Sequence, residues 1–145
     1  MKQYLAILLI SVMAWGGCSK SSDSSESNNR SAGEGEMVVE VNGKKYVYKG
    51  DPSSTQPIYM GYAVRDGDGY HLVGHDERDA NAKHSFITAQ EGSGYRAIWT
   101  DFTSSSLVVI RDNVTITFKV SNDRLSGTIS GSTIKGSFNK LYLFQ

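Results

Sequence analysis

Residues 37–48 read Met37-Val38-Val39-Glu40-Val41-Asn42-Gly43-Lys44-Lys45-Tyr46-Val47-Tyr48. Apolar and polar residues alternate on both sides of Asn-Gly, which is the period of a half-buried strand. Asn-Gly is the preferred centre of a type I′ hairpin, because both residues tolerate positive φ. A two-residue turn there sets the register: Val41 opposite Lys44, Glu40 opposite Lys45, Val39 opposite Tyr46 and Met37 opposite Tyr48. One face then collects Met37, Val39, Val41, Tyr46 and Tyr48. The other pairs Glu40 with Lys45, a cross-strand contact worth about 0.2–1 kcal/mol.

The same short-period pattern continues to the C-terminus, and no amphipathic helix interrupts it. Ile58, Met60, Tyr62 and Val64 alternate in one run, and Tyr70 to His75 reads as its hairpin partner across Asp66-Gly67-Asp68-Gly69. Ser85 to Ala89 and Tyr95 to Phe102 flank Glu91-Gly92-Ser93-Gly94. Leu107 to Arg111 and Val114 to Val120 flank Asp112-Asn113, with Val114, Ile116, Phe118 and Val120 expected inward. Leu125 to Ser130 and Thr133 to Phe144 close the chain around Gly131-Ser132. About ten short strands joined by hairpin-length turns predict an all-β domain over residues 37–145. The predicted architecture is a single antiparallel meander that closes as a small barrel or folds over as a two-sheet sandwich. Two stretches fall outside the pattern: Gly50 to Pro57, and the polar loop from His75 to His84.

The chain has 145 residues, room for one domain. Lys+Arg and Asp+Glu are both 15, so no net field draws in nucleic acid. The only cysteine, Cys18, excludes an intrachain disulfide, a CxxC redox pair and a thiolate zinc site.

The N-terminus has a different composition. Lys2 precedes an apolar run from Tyr4 to Ala14, and Gly16-Gly17-Cys18 follows. A positive start, a short apolar core and small residues form the layout of a secretory signal peptide. The run is too short for a transmembrane helix, which needs about 20 residues. Residues 19–36 read SKSSDSSESNNRSAGEGE, seven serines in eighteen residues with no aromatic or large aliphatic side chain. Such a segment buries too little apolar surface to offset its conformational entropy, so a flexible tether is expected. It would span about 20–25 Å on average and about 60 Å when stretched.

Gly16-Gly17-Cys18 resembles the lipobox of bacterial lipoproteins, with Trp15 where that family usually carries Leu. The resemblance implies that residues 1–17 are a lipoprotein signal peptide and that Cys18 is acylated and becomes the first residue of the mature protein. It also implies that acyl chains on Cys18 anchor the chain to a membrane. One acyl chain binds marginally, whereas two or more hold stably. Ser19 and Lys20 stand where inner-membrane lipoproteins often carry Asp, so the resemblance points to the outer membrane. The stretch Leu125 to Phe138, LSGTISGSTIKGSF, resembles the closing hairpin of small all-β lipoproteins of Gram-negative envelopes.

Candidate chemistry is sparse. His71 and His75 lie four apart on a strand, about 13 Å, too far to share an ion. His75 and His84 can meet only if the loop between them returns on itself, with Asp76 or Asp79 as a third ligand. Asp66-Gly67-Asp68-Gly69 matches part of a calcium loop but lacks the closing glutamate, and it also suits an ordinary turn. No Ser-His-Asp set, tuned carboxylate pair or phosphate-cradling loop stands out. No catalytic residue, metal site or cofactor is therefore expected. Tyr95, Ala97 and Trp99 share one strand face, which is core when buried and a stacking platform for sugars or peptides when exposed.

The expected function is a membrane-anchored envelope lipoprotein whose β domain is a non-catalytic binding or structural module. One alternative is an inhibitor of an envelope hydrolase such as lysozyme, because Ser93-Gly94-Tyr95 and Trp99 resemble elements of lipoprotein lysozyme inhibitors. Another is a small apolar-ligand carrier, which needs a cavity lined by residues such as Met60, Tyr62 and Phe118.

Overall fold

The computed structural model describes residues 31–50, 59–79, 82–103 and 106–145. The signal peptide at 1–17, Cys18, most of the tether and the irregular stretch at 51–57 lie outside the described residues. The described chain is all-β. Its strands are β1 (Glu36–Val41), β2 (Lys44–Lys49), β3 (Tyr59–Asp66), β4 (Gly69–Asp76), β5 (Lys83–Glu91), β6 (Gly94–Thr103), β7 (Ser106–Ser121), β8 (Arg124–Ser130) and β9 (Ile134–Phe144).

Strands β3 to β9 run as a meander and close into a seven-stranded barrel, with β9 returning to β3. An odd number of alternating strands makes the first and last run the same way, so the closing pair is parallel: Ala63 with Leu143 and Val64 with Phe144. The β1–β2 hairpin is additional to these seven strands and adds to the same core, with β1 antiparallel to the first half of β9. Two strands belong to both halves of the wall. The first part of β7 pairs with β6 and its second part with β8. β9 pairs with β1 and β8, then turns to β3 beyond Lys140, whose φ is 50°.

The β1–β2 register is the one set by Asn42-Gly43, and both turn residues take positive φ, 50° and 82°. Met37, Val39, Val41 and Tyr48 are buried on one face and Tyr46 is half-buried. Glu40 lies opposite Lys45, but its carboxylate closes on Lys135 of β9, with Nζ at 3.4 Å.

One expected hairpin is absent. Asp112-Asn113 does not turn, and β7 is a continuous strand of 16 residues, so nine strands are described. Neither residue takes the positive φ that a two-residue turn needs. The Asp112 carboxylate instead accepts N–H bonds from Thr133 (2.7 Å) and Ile134 (2.9 Å), and Ser132 Oγ donates to it at 3.2 Å. The turn falls at Asn122-Asp123, both at positive φ. Val114, Ile116 and Phe118 face inward, whereas Val120 is 49% exposed, one residue before the strand ends.

The tether expected over 19–36 ends earlier. The Ala32 N–H donates to Ser137 Oγ at 3.1 Å, the Gly35 N–H donates to the Asn139 carbonyl at 2.7 Å, and Glu36 already opens β1.

A pair of glycines seats the added hairpin. Gly61 and Gly74 are cross-strand partners on β3 and β4. A Cβ on Gly74 would lie 2.8 Å from Tyr48 Cγ and 2.9 Å from Met37 Cε, and one on Gly61 would lie 2.8 Å from Tyr48 Cβ. The bare backbone at this pair is what lets the Tyr48 ring press onto the barrel wall.

Two substitutions test this reading. Gly74→Ala is expected to destabilise the fold by about 1–3 kcal/mol through overpacking. Asp112→Ala is expected to lose about 1.5–3 kcal/mol by leaving the Thr133 and Ile134 N–H groups unmatched. Either loss lowers Tm by on the order of 10 °C in a thermal melt. A wild-type melting curve for either variant would contradict the packing described.

Candidate functional site

Alternation along β4, β5 and β6 brings three ionisable residues onto one inward row. Asp76 is the cross-strand partner of His84, and His84 is the partner of Asp101. The next row inward is Gly74, Phe86 and Trp99. The β1–β2 hairpin covers both rows with Tyr46 and Tyr48. Three rings pack together there: Tyr46 lies 4.7 Å from His84 and 4.8 Å from Trp99, and His84 stacks on Trp99 at 6.0 Å between centroids. Lys44 sits at the rim, its Nζ 5.3 Å over the Tyr46 ring.

His84 has one close ring partner on the hairpin: Nδ1 lies 2.8 Å from Tyr48 Oη, while Nε2 faces Asp76 Oδ2 at 3.8 Å, beyond hydrogen-bond distance. Asp76 is held from its other side by Arg78, with Nε at 3.0 Å and Nη2 at 2.6 Å, plus the Arg78 backbone N–H at 3.1 Å. Burial pushes the Asp76 carboxyl up, but these Arg78 contacts outweigh it and leave its pKa below 3.8. Burial pushes His84 below its ordinary 6.5; Asp76 and Asp101 pull it up, and Lys44 and Arg78 push it down. His84 is therefore neutral at pH 7. Tyr48 is fully buried, so its bond to His84 joins hairpin to wall rather than offering a reactive group to solvent.

Two buried polar atoms on the inward face of β6 have no hydrogen-bond partner among the described residues: Trp99 Nε1, a donor, and Asp101 Oδ1, an acceptor. They occupy successive inward positions of β6.

The other residues singled out in the sequence fall elsewhere. His75 alternates with Asp76 and pairs with Ser85, so it lies on the opposite face of the wall from His84. Among the described residues no three His, Cys, Asp or Glu side chains gather as a metal site. Asp79 is exposed, and its carbonyl accepts the Ala82 N–H at 3.1 Å. His71 braces β4, with Nδ1 2.8 Å from the Thr88 carbonyl and Nε2 2.5 Å from Asp66 Oδ2. Gly67 and Asp68 form a tight β3–β4 turn. Ser93 sits exposed at the tip of the two-residue β5–β6 turn. The Tyr95–Ala97–Trp99 face turns inward: Ala97 and Trp99 are buried and Tyr95 packs against the core.

The residues proposed to line a carrier cavity separate. Met60 and Tyr62 alternate with buried Gly61 and Ala63 and so face outward, and Tyr62 meets Phe144 edge-on. Phe118 faces inward among Tyr70, Tyr95 and Phe138.

Asp101 went unnoticed in the sequence. Its meaning comes from its place beside His84, and that depends on where β5 begins after the polar loop.

No family model, curated protein or solved structure matches this chain.

The His84 environment predicts a pH effect. Its folded pKa is lowered, so its contribution to stability is complete above 6.5 and falls as pH drops from 6.5 toward the folded value. Asp76 and Asp112, also lowered, add a separate loss below 3.8. His84→Gln is expected to flatten the change in Tm between pH 7.5 and about 5 relative to wild type, and to keep the deeper acid loss. Parallel wild-type and variant curves across that window would refute the assignment.

Proposed function

We propose that this chain is a membrane-anchored lipoprotein of a Gram-negative envelope, whose barrel is a non-catalytic binding module held to the lipid through Cys18. The observation that carries the anchor is the placement of the lone cysteine. It directly follows Gly16-Gly17 at the end of a short apolar run and precedes a serine-rich segment. The barrel packs apolar side chains such as Leu72, Phe86 and Leu125 inside, the reverse of a lipid-spanning barrel with a polar lumen. No helix among the described residues is long and apolar enough to cross a membrane. An acylated Cys18 supplies attachment without a spanning segment. Residues 31–35 already lie against β9, which leaves 19–30 as the tether. The binding reading rests on the Asp76–His84–Asp101 row and on the unmatched Trp99 Nε1 and Asp101 Oδ1 beside it.

The test is the intact mass and partitioning of the full-length protein expressed in a Gram-negative host. The wild type is expected in the membrane fraction, with a mass that begins at Cys18 and includes acyl chains. Cys18→Ser is expected to lose both the acyl mass and the cleavage. A Cys18→Ser protein that stays with the membrane at an unchanged mature mass would remove the anchor.

A further inference from the structure

We infer that the end of the barrel between Lys44, Tyr46, Trp99 and Asp101 is a binding site for a hydroxyl group of an uncharged saccharide or polyol. The inference deepens the binding-module reading above and is independent of the anchor.

The argument begins with the two unmatched atoms. Trp99 is 4% exposed, and its Nε1–H has no acceptor among the described residues. Asp101 Oδ1 is buried and has no donor among them. A buried polar atom without a partner costs about 1–3 kcal/mol, and such atoms in native folds are rare enough to call for an explanation. The two lie two residues apart on one strand face, which separates their Cα atoms by about 6.6–6.8 Å.

The chemistry of the pair selects the ligand. The Trp99 indole can only donate, and Asp101 Oδ1 stands as the acceptor. A carbonyl oxygen would satisfy Trp99 and set a second acceptor against Asp101 Oδ1. An ammonium would satisfy Asp101 and leave Trp99 unmatched. A carboxylate or phosphate oxygen would again set acceptor against acceptor. A hydroxyl accepts from Nε1–H and donates to Oδ1 through one atom. Beside the pair, the half-buried Tyr46 ring offers an apolar surface for the C–H face of a sugar. Lys44, over that ring, supplies ammonium donors for a neighbouring hydroxyl.

The test uses the full chain with Trp15→Phe, so that Trp99 is the sole indole of a protein that has two tryptophans. The Trp99 indole N–H is followed by NMR, with indole fluorescence alongside, during titration with glucose, N-acetylglucosamine and glycerol. Acetate and tetramethylammonium serve as charged counter-probes. A saturable shift with a saccharide or polyol, weakened about 10-fold or more by Asp101→Asn, is the expected result. Asp101→Asn keeps the shape of the side chain, and its NMR spectrum away from the site reports whether it folds; the wild-type titration stands without it. A saturable response only to acetate or tetramethylammonium would overturn the hydroxyl assignment and leave a binding site of another class. No response to any probe would overturn both the inference and the binding reading of this end, and would leave the pair to a structural water. A saccharide response unchanged by Asp101→Asn would also overturn the assignment.

Discussion

Closure of this barrel depends on a carboxylate in the middle of its longest strand. Asp112 lies where β7 leaves β6 and takes up β8, and its oxygens receive the first N–H groups of β9. These charge-assisted bonds fix the start of β9 against the bend of β7. Burial raises the Asp112 pKa, but the N–H bonds from Ile134 and Thr133 and the Ser132 hydroxyl outweigh it, so the carboxylate stays ionised well into acid. Everything attached to β9 inherits this position. Its first half carries β1, and with it the whole added hairpin. Its last residues reach β3 only after a second adjustment at Lys140, whose N–H donates to Ser126 Oγ at 2.9 Å beside an irregular register with β8.

From that frame the site follows by packing. β1 hangs β2 over the inner face, and the Gly61–Gly74 pair lets Tyr48 lie flat on the wall. Tyr48 then places its hydroxyl at His84, at the centre of the Asp76–His84–Asp101 row. A histidine this buried is disfavoured as a cation, and the Tyr48 hydroxyl gives its neutral form a hydrogen bond. Asp76, equally buried, keeps its charge because Arg78 meets both of its oxygens. The hairpin, the loop after β4 and the row on β5 are thus one connected unit. Protonation of His84 would place a cation in this buried packing and weaken the hold on the hairpin.

Much of this was legible where local chemistry decides it. Asn42-Gly43 forces positive φ at two consecutive residues, and one turn of known length then fixes every partner from Val41 to Met37. Gly67-Asp68 and Gly92-Ser93 are also two-residue turns, but only their glycines take positive φ. Asp112-Asn113 misled because aspartate and asparagine favour turns as isolated residues, and the competing use of that carboxylate lies about twenty residues away in the chain. The site was harder still. His84 and Asp101 are remarkable only as neighbours of Asp76, and that adjacency depends on the length of the loop between β4 and β5, which periodicity does not determine. The opposite faces of His75 and His84 follow from the same register.

The position of the unmatched atoms bears on whether the barrel end is structural or functional. Two other inward-facing polar groups are matched: Thr88 Oγ1 accepts the Leu72 N–H at 2.9 Å, and the half-buried Asp112 collects three donors. Trp99 Nε1 and Asp101 Oδ1 depart from that habit together, at the same end, beside the half-buried ring of Tyr46. A phenylalanine and an apolar residue at these two positions would bury as much surface without the desolvation cost. A donor and an acceptor left unmatched at successive inward positions of one strand are what the stability of the wall alone does not account for.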